Sequence, residues 1–345
     1  MAGDPSHERF RGGVPPVPAG VTRPCWSVMI PTFNCAGLLQ QGLSSVLDAG
    51  LSPERMQIEV VDDASTADDP AAVVQRLGRG RVGFFRQPRN VGHSRNFNTC
   101  LQRSRGHLVH VLHGDDWVDP EFYLRMEVLF RAEPELGAAF CRHVVTNHDG
   151  SPQRLSPLER GSPGVLKGWL ETVAAELRLQ PPSMVVRRDV YERLGGFDVR
   201  MLSCGEDWEM WVRVAAHYPV GYLPEPLAFY RDSANSLTKR SIRSGQNIRD
   251  VRMASKITRS YLPHGSARAA ADRAGRSWAN WALHLGHQQI ERGDYRAAAV
   301  QLREAFLCDR SPGTLRKIVR LGRDGARHAW RRARRAAAEA VKPHA

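Results

Sequence analysis

The chain contains no run of about 18 consecutive apolar residues, so no segment reads as a membrane-spanning helix. Its first twenty residues hold Pro15-Pro16 and several charges and lack the apolar centre of a signal peptide. Residues 1–24 therefore read as a disordered leader. The six cysteines (Cys25, Cys35, Cys100, Cys141, Cys204, Cys308) form no C-x-x-C pair, which argues against a zinc site or a disulfide frame. Reduced thiols point to a cytoplasmic location. Neither Gly-x-Gly-x-x-Gly nor Gly-Lys-Ser/Thr occurs, so a dinucleotide dehydrogenase or a P-loop enzyme is not expected.

Acidic residues are also short in supply, 36 against 49 Lys and Arg, for a net charge of +13. The excess is local. From Arg310 onward eleven basic residues face only Asp324 and Glu339. A basic end suits an anionic partner.

With 345 residues, 42% of them apolar, the chain can fill one large α/β domain plus an appendage. Short β-type runs at Trp26–Ile30, Ile58–Val61, Val82–Phe85 and Leu108–Leu112 alternate with helical stretches after Asn34, at Pro70 and over Gly92–Ser104. This β-α rhythm predicts a parallel, three-layered α/β sheet with right-handed crossovers. Asp119 and Pro120 are expected to cap and open the next helix. Further along, a strand over Gly137–Val145, a hairpin turn at His148–Ser151 and a strand over Ser183–Arg187 are expected. A helix over Asp189–Leu194, a flexible loop at Gly195–Asp198, an apolar helix over Glu206–His217 and a last strand over Leu227–Tyr230 follow. From about Ser236 the composition turns to helix formers. Trp278–Arg292 and Tyr295–Asp309 read as one tetratricopeptide-like hairpin, too few copies for a solenoid, hence a helical cap on the main domain. Thr314–Val341 reads as a basic amphipathic helix, and two readings of it stay open: a membrane-surface helix and a solvated one.

The chemistry lies in paired carboxylates. Asp62-Asp63 follows the second strand, Asp115-Asp116 the fourth, and Glu206-Asp207 opens the apolar helix. In a parallel sheet these sites converge at one edge, where α/β folds hold their ligands. Two adjacent Asp residues repel each other, and a divalent cation satisfies both; oxygen ligands favour Mg²⁺ or Mn²⁺. For Glu206-Asp207 the plain alternative is a favourable pairing with the helix dipole, and the chemical one is a general base against an apolar wall of Trp208 and Trp211. Arg89–Asn98, with Gly92 near a helix start, can hold phosphate through backbone N–H groups.

Five motifs in this order carry a resemblance: Pro31-Thr32-Phe33-Asn34; Val60-Val61-Asp62-Asp63-Ala64-Ser65; Asn90-Val91-Gly92 with Arg95-Asn96; Gly114-Asp115-Asp116-Trp117; and Gly205-Glu206-Asp207-Trp208. Over Trp26–Thr238, about three-fifths of its length, the chain resembles the family 2 glycosyltransferases. The resemblance implies a GT-A fold over 25–238, followed by a helical region over 239–312 and a basic helix or tail over 313–345. It implies inverting, non-processive transfer of a sugar from a nucleoside-diphosphate donor, usually a UDP-sugar, to an acceptor hydroxyl. Surface polysaccharide or glycoconjugate synthesis is the expected setting, on a glycan, lipid-linked or small-molecule acceptor. A peripheral contact with the inner face of the cell membrane is an option, and nucleic acid is not expected. By position, Pro31, Thr32 and Asn34 line the nucleotide pocket; Asp63 holds the base, with Asp62 beside it. Asn90, Arg95 and Asn96 flank the nucleotide and its phosphates. Asp115 and Asp116 match the metal motif usually written Asp-x-Asp, with His113 at its first position and Asp116 as direct ligand of Mn²⁺ or Mg²⁺. Asp207, with Glu206, matches the catalytic base, and Gly195–Asp198 the loop leading to the acceptor. The Gln-x-x-Arg-Trp motif of processive members is absent. Arg231 stands in that region, open between a diphosphate contact and a plain surface residue.

Two alternatives compete. A sugar-phosphate nucleotidyltransferase normally has a Gly-rich basic loop after the first strand, which Pro31–Asn34 lacks. A catalytically inactive nucleic-acid- or membrane-binding protein fits the tail but leaves Asp63, Asp115, Asp116 and Asp207 without a reason.

Overall fold

The computed structural model describes residues 8–233 and 236–340. Among the described residues ten strands form one sheet: β1 (Trp26–Thr32), β2 (Met56–Asp62), β3 (Gly83–Arg86), β4 (Leu108–Val111), β5 (Trp117–Val118), β6 (Ala138–Thr146), β7 (Pro152–Leu155), β8 (Gly164–Val165), β9 (Met184–Arg187) and β10 (Val220–Arg231). Their order is β3-β2-β1-β4-β9-β6-β10-β5, with β7 beside β6 and β8 beside β10. The helices are α1 (Ala36–Asp48), α2 (Pro70–Gly78), α3 (His93–Arg103), α4 (Phe122–Ala132), α5 (Trp169–Ala175), α6 (Arg188–Leu194), α7 (Glu206–His217), α8 (Leu237–Ser241), α9 (Gln246–Tyr261), α10 (Ser266–Arg292), α11 (Tyr295–Cys308) and α12 (Pro312–Ala340).

Alternation along each strand sends side chains to opposite faces. Val28, Ile30 and Val60 join a core with Leu39, Leu43, Val73 and Met126 from α1, α2 and α4. Met29, Val61 and Val111 face a second core with Phe97, Val173, Trp208 and Trp211 from α3, α5 and α7. The three layers are those expected.

The parallel expectation holds only for half of the sheet. β1 pairs in parallel with β2 and β4, and β2 with β3. β9 then runs antiparallel between β4 and β6, so the sheet is mixed. Both faces of β9 are covered, and its Met-Val-Val run gives no sign of direction. β10 is longer than expected, because Pro224 and Pro226 interrupt the apolar run; the strand continues through register shifts at Pro226. The helix expected at Pro120 starts two residues later. Pairing of β5 with β10 draws the Asp119 N–H to the Leu227 carbonyl (2.8 Å), and the Asp119 carboxylate accepts from Glu121 N (2.9 Å) in a turn.

The leader and the loop at Gly195–Asp198 are corrected together. Residues 1–7 lie outside the described residues. Residues 8–24 are not a free leader: Phe10 O accepts from Val199 N (3.0 Å), Gly12 O from Gly196 N (2.7 Å) and Pro15 O from Arg188 (3.0 Å). The loop is packed rather than flexible, with Phe197 and Asp198 buried. Buried backbone groups need partners, and each segment supplies the other's.

The C-terminal helices cap the α7 side of the sheet. Trp278 of α10 meets Trp208 edge-on, with ring centroids 5.1 Å apart, while Ile248 and Val251 of α9 enter the same core. The expected hairpin is present, turning at Gly293 (φ +77°) with Asp294 capping Ala297 N (3.1 Å). No helix among the described residues is long and apolar enough to cross a membrane. All six cysteines are free thiols.

Candidate active site

The site forms where the strand ends of β1, β2 and β4 meet the start of α7. The loops after β1 and β2 are tied to each other. Asn34, in the left-handed region at φ +50°, accepts from Thr66 N and Ala67 N (2.8 and 3.0 Å), and its own N–H donates to Ser65 Oγ (2.8 Å). Gly114 N donates to Pro31 O (3.0 Å), and an added Cβ would sit 3.0 Å from Cys35 Sγ and 3.1 Å from Thr32 Oγ1. Glycine at 114 lets β4 end tight against Pro31 and Thr32.

Several expected nucleotide contacts are engaged inside the protein. Asp62 is fully buried, accepts from Ser65 Oγ (2.5 Å) and pairs with Arg86 (2.6 Å). Asn96 is buried between Val61 O (2.9 Å) and Gln87 (3.2 Å). Asp63 accepts from Val91 N (2.7 Å) and Gly92 N (3.0 Å), and Asn90 donates to its carbonyl (3.3 Å). Burial raises the Asp63 pKa despite those two amides. Arg95 is exposed on α3.

His113, Asp115 and Asp116 bring one ligand atom each within 4.8 Å of one another. Asp116 is buried; Oδ1 accepts from Arg231 N (2.8 Å), while Oδ2 has no hydrogen-bond partner. Burial, then the Asp115 charge, pushes the Asp116 pKa well above the carboxylate range. Burial lowers that of His113, leaving a neutral imidazole stacked on Phe97 at 4.8 Å. An orphaned carboxylate oxygen beside a second carboxylate and a neutral imidazole is a donor set that fits a divalent cation.

Arg231 is not a surface residue. It is buried, with Nε donating to Asp115 O (2.9 Å), Nη2 to Gln41 Oε1 (2.5 Å) and Nη1 to His148 O. Its guanidinium lies over Trp117 at 4.7 Å. All this fixes the Asp115-Asp116 backbone, a role the sequence did not show. From the other side α1 presses in: a Cβ on Gly42 would lie 2.6 Å from Asp116 O. Gly42→Ala is expected to shift that backbone, costing about 1–3 kcal/mol as overpacking does. Urea unfolding measures the cost, and Mn²⁺ affinity should fall with it; an unchanged Mn²⁺ affinity would mean that the contact does not reach the site.

Glu206 and Asp207 are adjacent yet differently held. His93 Nε2 lies 3.3 Å from Glu206 Oε2. Burial opposes the Glu206 charge, but His93 outweighs it and lowers the pKa; Glu206 in turn raises that of His93 against burial. Asp207 accepts from Trp208 N (2.7 Å) and lines a small cavity with Phe97, His113, Tyr191, Phe197 and Trp211. Burial, then the Glu206 charge, moves its pKa to about 7. Two neighbouring carboxylates with separated pKa values are the pattern of an ionised partner beside a proton acceptor. Trp211 belongs to the expected apolar wall. Trp208 points away, its indole N–H on Val173 O (2.7 Å). His93, 113 residues before Glu206, was not singled out from the sequence as the partner of that acid, since nothing local joins them.

Residues 27–195 match the profile of glycosyl transferase family 2. An uncharacterized protein of Mycobacterium tuberculosis is 28% identical over 241 residues, covering 66% of this chain and 73% of that protein. The chain spans about half, 51%, of the next mycobacterial relatives. Among solved structures, S. aureus TarS 1-349 in complex with UDP matches with a TM-score of 0.57 at 14% identity, over 89% of this chain and 91% of that one. The mannosyltransferase PcManGT from Pyrobaculum calidifontis, in complex with GDP-Man and Mn²⁺, matches with a TM-score of 0.50 at 18% identity, over 87% and 91%. The fold is therefore GT-A. Through residues 27–195 the chain belongs to glycosyl transferase family 2, and it is a glycosyltransferase. The nucleotidyltransferase alternative gives way to this assignment.

Proposed function

We propose that the protein transfers a sugar from a nucleoside-diphosphate donor, of the UDP-sugar class, to an acceptor hydroxyl with inversion at the anomeric carbon. The observation that carries this reading is the unpartnered Asp116 Oδ2 beside Asp115 and His113, on the side of the sheet where Asp207 lines its cavity. Asp116, Asp115 and His113 would hold Mn²⁺ or Mg²⁺, which when bound supplies Lewis-acid charge at the diphosphate leaving group. TarS with UDP and PcManGT with GDP-Man and Mn²⁺ support that ligand class.

The remaining work falls to side chains of this chain. Asp63, its carboxylate fixed by the Val91 and Gly92 amides, offers remaining lone pairs to the base, and Arg95 offers charge to the phosphates. Asp207 accepts the proton of the acceptor hydroxyl as its oxygen attacks the anomeric carbon. Glu206, held by His93, keeps its charge and so keeps Asp207 basic. Arg231 holds the Asp115-Asp116 turn.

Donor hydrolysis tests the reading without knowledge of the acceptor. With Mn²⁺ and a panel of α-linked nucleotide sugars, one donor is expected to release sugar that NMR first detects as the β-anomer. Initial release of the α-anomer, or no turnover of any donor, would contradict inversion or the donor class respectively.

A further inference from the structure

Helix α12 packs on α10 and α11 with one face and leaves the other bare. On the packed face Ile318 and Leu321 join the core, Gly325 lies against Ile290, and His328 Nδ1 bonds Tyr295 Oη (2.9 Å). The bare face carries two ridges. Leu315, Val319, Ala326 and Trp330 follow i, i+4, i+11, i+15 spacing, and every one is exposed, Val319 at 51% and Trp330 at 59%. Arg316, Arg320, Arg323, Arg327, Arg331 and Arg334 run beside them, offset by about one residue, and all are exposed. Asp324, paired with Arg327 at 3.8 Å, is the one acid among the described side chains of this helix.

We infer that this face of α12 seats the enzyme on an anionic lipid bilayer. The arginine ridge complements lipid phosphates, and the apolar ridge enters the headgroup boundary with Trp330 as its interfacial anchor. Each ridge rules against another occupant. A duplex phosphate polymer is bound through backbone charge and gains nothing from a line of Leu and Val. A second copy of the helix would set arginine ridge against arginine ridge. The inference does not depend on the donor or mechanism proposed above. It carries a consequence for the enzyme: a glycan acceptor on a lipid carrier would meet it at the membrane surface.

The test is co-sedimentation of the full chain with vesicles of phosphatidylcholine alone and of equal parts phosphatidylcholine and phosphatidylglycerol. Binding is expected only to the anionic vesicles, with a blue shift in fluorescence that Trp330→Phe removes. R320E/R323E/R327E should weaken it by about a hundredfold or more, and V319S/W330S by about tenfold. R76E/R105E/K167E, which moves the same charge elsewhere on the surface, should weaken it far less. Circular dichroism and urea unfolding check that each variant is folded. Failure to bind anionic vesicles at low salt would overturn the proposal. So would equal loss in the three-site control, which would mean bulk charge alone. Unchanged binding in V319S/W330S, with duplex DNA competing as well as lipid, would reassign the face to phosphate polymers.

Discussion

Asp207→Asn is expected to leave a folded protein that binds nucleotide but has lost transfer by about 10²–10⁴-fold in kcat. Asn keeps an acceptor for Trp208 N (2.7 Å in the parent) and keeps the volume, so fold and cavity are preserved. What goes is a carboxylate able to take a proton. The same logic fixes the pH dependence. Burial and the Glu206 charge raise the Asp207 pKa to about 7, so it is protonated and idle as a base in mild acid. The parent kcat should rise with pH and level off above about 7, while the residual rate of the variant should not follow that curve. Steady-state rates from mild acid to mild alkali read both. Wild-type kcat in Asp207→Asn would remove this residue as the base.

Asp116→Asn separates stability from chemistry in the opposite direction. The amide oxygen can still accept from Arg231 N (2.8 Å), so the β5–β10 junction keeps its tie. The parent carboxylate has a folded pKa well above its usual value, chiefly through burial and next through Asp115. Stability is therefore lost as pH rises from the unfolded pKa through the folded one, and at neutral pH an ionised or ionisable Asp116 weighs against the fold. The metal-free variant should melt no lower than the parent, and higher at neutral pH, in a thermal scan. Activity should move the other way, falling about a thousandfold with the loss of an anionic cation ligand. A purely structural Asp116 would give the reverse: lower melting and little change in rate.

The carboxylates were legible because each pair punctuates a strong local signal. Asp62-Asp63 ends a run of β-branched residues, Asp115-Asp116 follows Leu108–Leu112, and Glu206-Asp207 heads an apolar helix whose expected bounds match the observed ones. Local patterning cannot reveal partners far apart in the chain. Arg231 stood open between a diphosphate contact and a surface residue, and only the path of β10 carries it to Asp116, 115 residues away. His93 and Glu206 meet only because the fold brings the first residues of α3 and α7 together. The antiparallel β9 was hidden for a related reason: a short strand buried on both faces reads alike in either direction. Residues 8–24 looked free because Pro15, Pro16 and scattered charges mimic a linker, although Val14 is buried and Arg11 reaches Glu209 at 3.5 Å. The composition of a segment says little about whether unpaired backbone elsewhere will recruit it.

The central claim is that Asp115 and Asp116 build a cation site serving a nucleoside diphosphate. Thermal-shift binding of UDP, GDP, dTDP and CMP, each with and without Mn²⁺, tests it most directly on the parent and on Asp116→Asn. The account predicts that one diphosphate raises the melting temperature of the parent only when Mn²⁺ is present, and that the variant loses this response while staying folded. A metal-independent shift, or the same metal-dependent shift in Asp116→Asn, would contradict it.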